Sequence, residues 1–300
     1  MNTISIQHLT KTYGAFAAVS DLSLDIPAGT VFGLLGPNGA GKTTTFKCAL
    51  NMARPTAGTI LFNGKPLVPA TFETIAYVPE RSVLYEWMTI AEHVQMTRYA
   101  YKAFDVARCK ELLALFSLNE KQRVRSLSKG MKTATAIALT FARRAETLIL
   151  DEPTSGLDPV NQREVLNLII NEAANGTSII FSSHQIGHVE RAAERIAILQ
   201  RGRLILEGSV DDLKADRKIV DGILPSEDSP LTAFTNDARI ARVDRNGRIL
   251  RLQVTADADG VAAALSAAGA QGVRVLDLNL EDIFINAVSP ANSTADVVEA

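Results

Sequence analysis

The feature that most constrains this chain is a glycine-rich segment of eight residues. It reads Gly36-Pro37-Asn38-Gly39-Ala40-Gly41-Lys42-Thr43 and matches the pattern GxxxxGK[ST]. An almost wholly apolar run at residues 30–35 precedes it, as is typical of a buried parallel strand, and a helix-like segment follows. In this context backbone N–H groups curl around a phosphate at a helix N-terminus. A turn that merely connects two elements explains the pattern poorly, so the sequence predicts a phosphate-binding loop.

The end of this loop predicts chemistry as well as binding. We expect Lys42 to reach the β- and γ-phosphate oxygens of a nucleotide and the Thr43 hydroxyl to bind Mg²⁺. Lys42 is also a candidate catalytic residue, because its charge neutralises the γ-phosphate. The predicted nucleotide-binding residues of the loop are Gly36, Pro37, Asn38, Gly39, Ala40, Gly41, Lys42, Thr43 and Thr44.

A second apolar strand-like run, residues 147–150, ends in the acidic pair Asp151 and Glu152. Beside a phosphate-binding loop, Asp151 is expected to lie near Mg²⁺. Glu152 is the candidate general base that polarises the attacking water. Taken alone, the dipeptide is equally well explained as a solvated pair at a strand end, and only the loop favours the catalytic interpretation.

Composition indicates an ordinary globular protein of two domains. The chain has 300 residues, of which 47% are hydrophobic and 21% charged. Its 31 Lys and Arg nearly balance 33 Asp and Glu, so non-specific nucleic-acid binding is not favoured. The apolar runs are far shorter than the ~20 residues of a transmembrane helix, and we expect no secretory signal. Cys48 and Cys109 lack the spacing of a metal site and are expected to be buried free thiols.

A second glycine loop provides the resemblance to a known family. It reads Leu127-Ser128-Lys129-Gly130-Met131 and stands shortly before the strand that ends in Asp151. Alone, this pentapeptide is better explained as an N-capped helix. Together with the phosphate-binding loop and the acidic pair, it resembles the nucleotide-binding subunits of ABC transporters, over roughly the first 210 residues.

The resemblance implies roles for further residues. In such proteins two subunits enclose two ATP molecules, and Ser128 and Gly130 would contact the ATP held by the other subunit. Tyr13 resembles the aromatic residue that stacks on adenine, although a tyrosine at a strand end is more often simply half-buried. Asp158 resembles a residue of the loop that crosses the dimer interface, a role compatible with capping the helix that follows. His184 resembles the switch histidine at the γ-phosphate. The implied catalytic residues are Glu152, His184 and Lys42.

Two residues depart from the family pattern. Glu80 stands where the family usually has a glutamine that contacts Mg²⁺ and the attacking water, and Lys129 replaces a glycine of the second loop. Both variants, and residues 278–284 near the C-terminus, resemble an exporter-type subgroup with a small C-terminal domain. The implied metal ligands are Thr43, Asp151 and Glu80, and the other ATP contacts are Tyr13, Glu80, Ser128, Gly130 and Asp158.

The order of predicted elements gives the fold class and the domains. Strands and helices alternate, which favours α/β: a P-loop NTPase core with a parallel sheet, an antiparallel β subdomain and a helical insert, plus a small C-terminal α+β domain. Within the insert, Thr89 and Asp105 are predicted N-caps. The predicted ATP-binding domain covers residues 1–214, with the insert at about 88–130. A linker at 215–237, the α+β domain at 238–288 and a disordered tail at 289–300 follow.

The resemblance implies an ATPase that drives transport through a separate integral membrane permease. It implies a homodimer or a paralogous heterodimer at the cytoplasmic face of the membrane, with export favoured and no nucleic-acid partner. Residues 82–88, which hold the chain's single tryptophan, are expected to receive the permease, unless Trp87 packs the insert onto the core. One alternative is a soluble ABC-type ATPase that acts on chromosomes or ribosomes. The sequence does not favour it, because it shows neither the long coiled coil of the chromosome-acting proteins nor the second cassette of the ribosome-acting ones. The other alternative is a nucleotide-dependent switch that hydrolyses ATP slowly.

Overall fold

The computed structural model describes residues 2–215, 218–288 and 298–299. The chain divides into two compact units, Met1–Glu207 and Gly208–Ala300. This division falls a few residues before the boundary that the sequence predicts at residue 214. No helix in the described part of the chain is long and apolar enough to span a membrane.

The first unit contains ten strands and six α-helices, counted over its described residues. The strands are β1 (Asn2–Tyr13), β2 (Phe16–Pro27), β3 (Val31–Leu35), β4 (Ala57–Phe62), β5 (Lys65–Pro66), β6 (Ile75–Val78), β7 (Thr147–Asp151), β8 (Ser178–Ser183), β9 (Arg195–Gln200) and β10 (Arg203–Ser209), the last of which runs into the second unit. The helices are α1 (Lys42–Ala49), α2 (Ile90–Ala100), α3 (Val106–Leu115), α4 (Lys129–Phe141), α5 (Pro159–Ala174) and α6 (Ile186–Ala192).

The central sheet has the strand order β10-β9-β3-β8-β7-β6. Strands β9, β3, β8, β7 and β6 run parallel to one another, in this order across the sheet. All five residues of β3 and all five of β7 are buried, which is why both strands read as continuous apolar runs. Parallel strands bring their carboxyl ends to one edge, so the residues that follow β3 and β7 meet there.

An antiparallel sheet of order β2-β1-β4-β5 packs against the central sheet. The core between them combines Ile4, Leu24, Phe32, Phe46 and Ile180, drawn from both sheets and from α1. Full burial of one such side chain contributes about 1.5–3 kcal/mol. The two sheets therefore hold α1, and with it the glycine-rich loop, on a rigid base.

The helical insert begins where the sequence predicts caps. The Thr89 hydroxyl accepts a hydrogen bond from the Glu92 backbone N–H, and the Glu92 carboxylate accepts one from Thr89 N at 2.6 Å, which forms a capping box. Asp105 accepts from Arg108 N at 2.9 Å. Both N-cap predictions are confirmed.

The second unit is a small α+β structure. Its elements are α7 (Val210–Ala215), β11 (Lys218–Ile223), α8 (Thr232–Thr235), β12 (Ile240–Asn246), β13 (Ile249–Val254), α9 (Ala258–Ala267), β14 (Gln271–Asp277), α10 (Leu280–Val288) and β15 (Val298–Glu299). The strand order is β14-β11-β13-β12-β15. The hairpin predicted around Asn246-Gly247 joins β12 to β13.

One predicted segment differs from what the structure describes, and another lies largely outside the described residues. Residues 218–223, which the sequence assigns to a linker, form β11 in the interior of this sheet, between β13 and β14. The local sequence does not predict this strand, because Asp221 and Gly222 are weak β-formers. Residues 218–223 are extended because they pair with two strands that are distant in the sequence. The predicted disordered tail at 289–300 lies outside the described residues except for β15, which pairs in parallel with β12.

Candidate functional site

The glycine-rich loop joins β3 to α1 with a backbone that requires glycine. Gly41, the N-cap of α1, has φ of 106° and no capping side chain. A Cβ atom at this position would lie 2.6 Å from the Ala18 carbonyl oxygen. Gly39 has φ of 79° and faces open space. The first N–H groups of α1 are therefore free of a capping side chain, as an anion-binding helix N-terminus requires.

This loop forms one wall of an open cleft of about 380 Å³. The predicted residues that line the cleft are Asn38, Gly39, Ala40, Gly41, Lys42, Thr43, Thr44, Glu80, Glu152 and His184. Phe16, Ala18 and Ser155 also line it and were not predicted as site residues. The predicted residues outside its lining are Tyr13, Gly36, Pro37, Ser128, Gly130, Asp151 and Asp158.

Lys42 is held in place before any phosphate arrives. Its ammonium donates to the Gly36 carbonyl at 2.7 Å and lies 3.9 Å from Oε1 of Glu152. Burial lowers the pKa of Lys42, and the negative charges of Glu152 and the nearby Asp151 and Glu80 oppose that shift. A phosphate group in the cleft would give this desolvated cation a stronger partner than the loop carbonyl.

Asp151 has one satisfied and one unsatisfied carboxylate oxygen. Its Oδ1 accepts from the Ser182 hydroxyl at 2.7 Å, whereas Oδ2 is buried without a hydrogen-bond partner among the described residues. Burial raises the pKa of Asp151, and the hydroxyl groups of Ser182 and Thr43 act against that rise. A buried orphan oxygen close to a threonine hydroxyl and to Glu80 fits a hard divalent cation, which takes oxygen ligands.

Glu152 is strained and tightly held. Its φ of 51° is left-handed, a conformation that costs a non-glycine residue about 1–2 kcal/mol. Its backbone N–H donates to the Ser182 hydroxyl at 2.9 Å, and its Oε2 lies 2.8 Å from Nδ1 of His184. A carboxylate only accepts hydrogen bonds, so Nδ1 carries the proton in this contact. The strained backbone aims the carboxylate into the cleft between Lys42 and His184.

The residues of the second glycine loop cap a helix and lie away from this cleft. The Ser128 hydroxyl accepts from Met131 N at 3.2 Å and caps α4. Lys129 donates from Nζ to the Ser155 hydroxyl at 3.1 Å and so reaches a residue of the cleft wall. A Cβ atom on Gly130 would lie 2.5 Å from the Gly156 carbonyl oxygen, so this position has no room for a side chain.

Asp158 likewise has a clear structural role. Its Oδ1 accepts from the backbone N–H groups of Val160 and Asn161, both at 3.0 Å. This is the N-cap of α5, with Pro159 in the first turn. Capping explains the position of Asp158 within one chain, and a contact across a dimer interface stays a prediction.

Two aromatic residues face each other where β1 turns into β2. Tyr13 pairs with Phe16 across the hairpin. Phe16 is 64% exposed and lines the cleft, whereas Tyr13 is 51% exposed, lies outside the lining and has Lys11 Nζ 4.7 Å from its ring centre. Phe16 is not among the residues that the sequence predicts for the site, because only the two-residue turn brings it to the cleft.

Comparison with known proteins agrees with this geometry. A family model described as ABC transporter matches residues 19–155. The ABC transporter ATP-binding protein YtrB of Bacillus subtilis is 31% identical over 285 residues, covering 94% of this chain and 97% of that protein. The chain belongs to the ATP-binding subunits of ABC transporters.

Further relatives of this ABC ATP-binding subunit include YhaQ of Bacillus subtilis, an uncharacterized ABC transporter ATP-binding protein. YhaQ is 38% identical over 216 residues, which cover 70% of this chain and 72% of YhaQ. The bacitracin transport ATP-binding protein BcrA of Enterococcus faecalis is 35% identical, and the match covers 72% of each chain.

A solved structure of the ATP-binding subunit of an ABC transporter is also similar to this chain. It is 32% identical and matches with a TM-score of 0.66, covering 71% of this chain and 92% of that one. The predicted P-loop NTPase fold is confirmed. Like its family, this subunit binds and hydrolyses ATP.

Proposed function

We propose that this ABC ATP-binding subunit exports a substrate by closing as a dimer on ATP and acting on a separate membrane permease. The observation that carries the proposal is the convergence of Lys42, Glu152 and His184 on one cleft beside the phosphate-binding loop. Transport is supported by the name of BcrA, a bacitracin transport ATP-binding protein, and export by the exporter-type variants Glu80 and Lys129. The site of action is the cytoplasmic face of the membrane.

ATP is proposed to lie with its β- and γ-phosphates on the loop. The free N–H groups at the start of α1 and the ammonium of Lys42 bind the phosphate oxygens. Thr43, Asp151 and Glu80 would hold Mg²⁺, which supplies positive charge against the phosphates when bound. The unpaired Oδ2 of Asp151 supports this assignment. Adenine is proposed to stack at the hairpin, on Phe16 and Tyr13.

Hydrolysis needs a water held in line with the γ-phosphate. Glu152 accepts a hydrogen bond from this water and draws its proton as the oxygen attacks phosphorus and the bond to ADP breaks. Lys42 neutralises the charge that develops on the γ-phosphate. His184 fixes the Glu152 carboxylate through Nδ1 and presents its other nitrogen towards the cleft, where it would contact the γ-phosphate.

One chain does not complete this site. Ser128, Gly130 and Asp158 do not line the cleft of their own subunit. The second glycine loop opens α4, whose N-terminus is suited to a phosphate. We therefore place Ser128 and Gly130 against ATP on the partner subunit, with Asp158 at the interface. A homodimer and a paralogous heterodimer both satisfy this arrangement.

The permease is proposed to dock on residues 82–88. Tyr85 and Trp87 are exposed there, with ring centres 4.9 Å apart. Trp87 is 65% exposed, so it does not pack the insert onto the core. Buried His93 holds the segment: its Nε2 accepts from Tyr85 N at 2.9 Å, and its Nδ1 donates to the Thr89 carbonyl at 2.9 Å. Glu80 lies in the nucleotide cleft and stands two residues before this segment in the sequence. A movement of Glu80 can therefore displace residues 82–88.

Reconstitution tests the transport proposal. The chain and a candidate integral membrane permease would be placed together in lipid vesicles, with ATP on the outside. We expect ATP-dependent movement of substrate that disappears with Lys42→Ala, while the Lys42→Ala chain still binds the membrane protein. A chain that hydrolyses ATP and never associates with a membrane protein would overturn the transport role and favour the soluble alternative.

A further inference from the structure

The second unit contains a cavity of about 200 Å³, separate from the nucleotide cleft. It lies on one face of the β11-β13-β12 part of the sheet and is bounded on another side by α10. Water occupies about 30 Å³ in the liquid, so the cavity has room for roughly six or seven molecules of this size. Sites for drug-sized ligands run from about 300 Å³ upward. The cavity therefore suits a molecule of about the size of an amino acid.

Strand register explains why polar side chains meet at this cavity. Gln253 of β13 pairs with Ile219 of β11 on one side and with Arg242 of β12 on the other. Side chains alternate along a strand, so Leu252 and Val254 face the hydrophobic core on the other side of the sheet. Gln253 consequently faces the cavity, although it is only 7% exposed.

Two polar atoms are left unpaired at this cavity. Within the described part of the chain, neither Nε2 of Gln253 nor Oδ2 of Asp282 has a hydrogen-bond partner, and both atoms are buried. Folded proteins pair the large majority of such atoms, because leaving one unsatisfied is costly. The Gln253 amide is a donor and the Asp282 carboxylate is an acceptor. One molecule that carries an acceptor and a donor would satisfy both.

The charged and apolar side chains of the lining indicate which class of ligand the cavity can bind. The charged side chains in the lining are two arginines and two aspartates, namely Arg242, Arg251, Asp244 and Asp282. Arg242 already donates to Asp244 at 2.8 Å. The lining has no net charge, which favours a ligand without net charge. Ile219 and Leu278 add apolar surface to the wall.

We propose that this cavity binds a small zwitterion with an apolar group, of the class of the aliphatic α-amino acids. The ligand carboxylate accepts from the Gln253 amide and pairs with Arg251. Its ammonium group donates to Oδ2 of Asp282, and its side chain contacts Ile219 and Leu278. This site would give the second unit a binding function of its own, independent of the proposed role in transport.

Titration calorimetry on the full chain, without nucleotide, tests the proposal. The probes are L-leucine, L-valine and L-methionine at millimolar concentrations. We expect at least one to bind, and 3-methylbutylamine and 4-methylpentanoate, which lack the carboxylate or the ammonium group, to bind at least about tenfold more weakly. Gln253→Leu and Asp282→Asn should each weaken binding by about tenfold or more. Asp259→Asn, at an exposed position of α9, is the matched control and should leave binding unchanged.

Three outcomes would overturn the proposal. If none of the probes binds, the cavity does not recognise aliphatic α-amino acids. If the probes bind and neither Gln253→Leu nor Asp282→Asn changes the affinity, they bind elsewhere on the chain. If the two single-charge analogues bind as tightly as leucine, the unpaired donor and acceptor do not recognise a zwitterion. The analogue comparison uses the unmodified chain, so it remains decisive even if a variant does not fold.

Discussion

Nδ1 of His184 lies 2.8 Å from Oε2 of Glu152, although the two residues belong to different strand ends of the central sheet. Glu152 follows β7 and His184 follows β8, and β7 and β8 are paired neighbours. The contact leaves one carboxylate oxygen towards Lys42 and one towards the histidine. The sheet itself therefore positions the base that we propose for ATP hydrolysis.

The first prediction concerns His184. Replacing it with alanine frees the Glu152 carboxylate to rotate, so the rate of ATP hydrolysis should fall by about 10²-fold, while ATP binding changes little. Steady-state turnover and equilibrium binding of a fluorescent ATP analogue measure the two effects. His8→Asn is the control, because asparagine tolerates the left-handed backbone at this exposed position. Unchanged turnover in His184→Ala would remove the histidine from the mechanism.

The second prediction concerns the binding of adenine. Phe16→Ala should raise the dissociation constant of ATP about fivefold, equivalent to the ~1 kcal/mol of an ordinary aromatic contact. Tyr13→Ala tests the prediction that Tyr13 stacks on adenine. The double variant should bind ATP more weakly than either single variant. Inorganic triphosphate has no base, so its affinity should be the same in all four proteins. An ATP affinity that does not change in Phe16→Ala would show that the cleft wall is not the adenine site.

The third prediction concerns the composite site. A Ser128→Arg subunit and a Lys42→Ala subunit should each be inactive alone. Mixed in one dimer, they recreate one intact site from Lys42 of the first subunit and Ser128 of the second. We expect hydrolysis to reappear only in the mixture, as measured after crosslinking. A mixed dimer that is folded, paired and inactive would mean that both loops serve the same subunit.

The fourth prediction concerns the permease surface. The double change Tyr85→Ala and Trp87→Ala should leave the thermal midpoint and basal ATP hydrolysis of the isolated subunit unchanged, because both rings are exposed. Association with the permease should be lost, since aromatic residues of this kind dominate binding energy at interfaces. Tyr99→Ala removes another exposed ring and is the matched control. Normal association of the double variant would reject the surface.

Local signals explain what the sequence predicted well. The phosphate-binding loop, the capping box at Thr89 and the hairpin at Asn246-Gly247 each depend on a few adjacent residues. The apolar runs of β3 and β7 place the loop and the acidic pair at one edge of the sheet, because parallel strands end together. The contact between Glu152 and His184 is a consequence of this topology.

Non-local pairing explains what the sequence did not predict. Phe16 reaches the cleft through the register of β1 with β2, and β11 becomes a strand because β13 and β14 pair on both of its sides. The cavity at Gln253 depends on which residues of three strands lie opposite one another. None of these relationships has a signature within one segment of the chain.

The most direct test of the whole account is ATP hydrolysis by Glu152→Gln. Glutamine keeps the size of the side chain and removes the base, so we expect ATP binding to persist, ATP to trap a closed dimer, and turnover to fall by at least about 10²-fold. Glu146→Gln, at an exposed position before β7, should hydrolyse ATP normally and is the control. If Glu152→Gln hydrolysed ATP at the parent rate, Glu152 would not be the base, and Glu80 in the same cleft would become the next candidate.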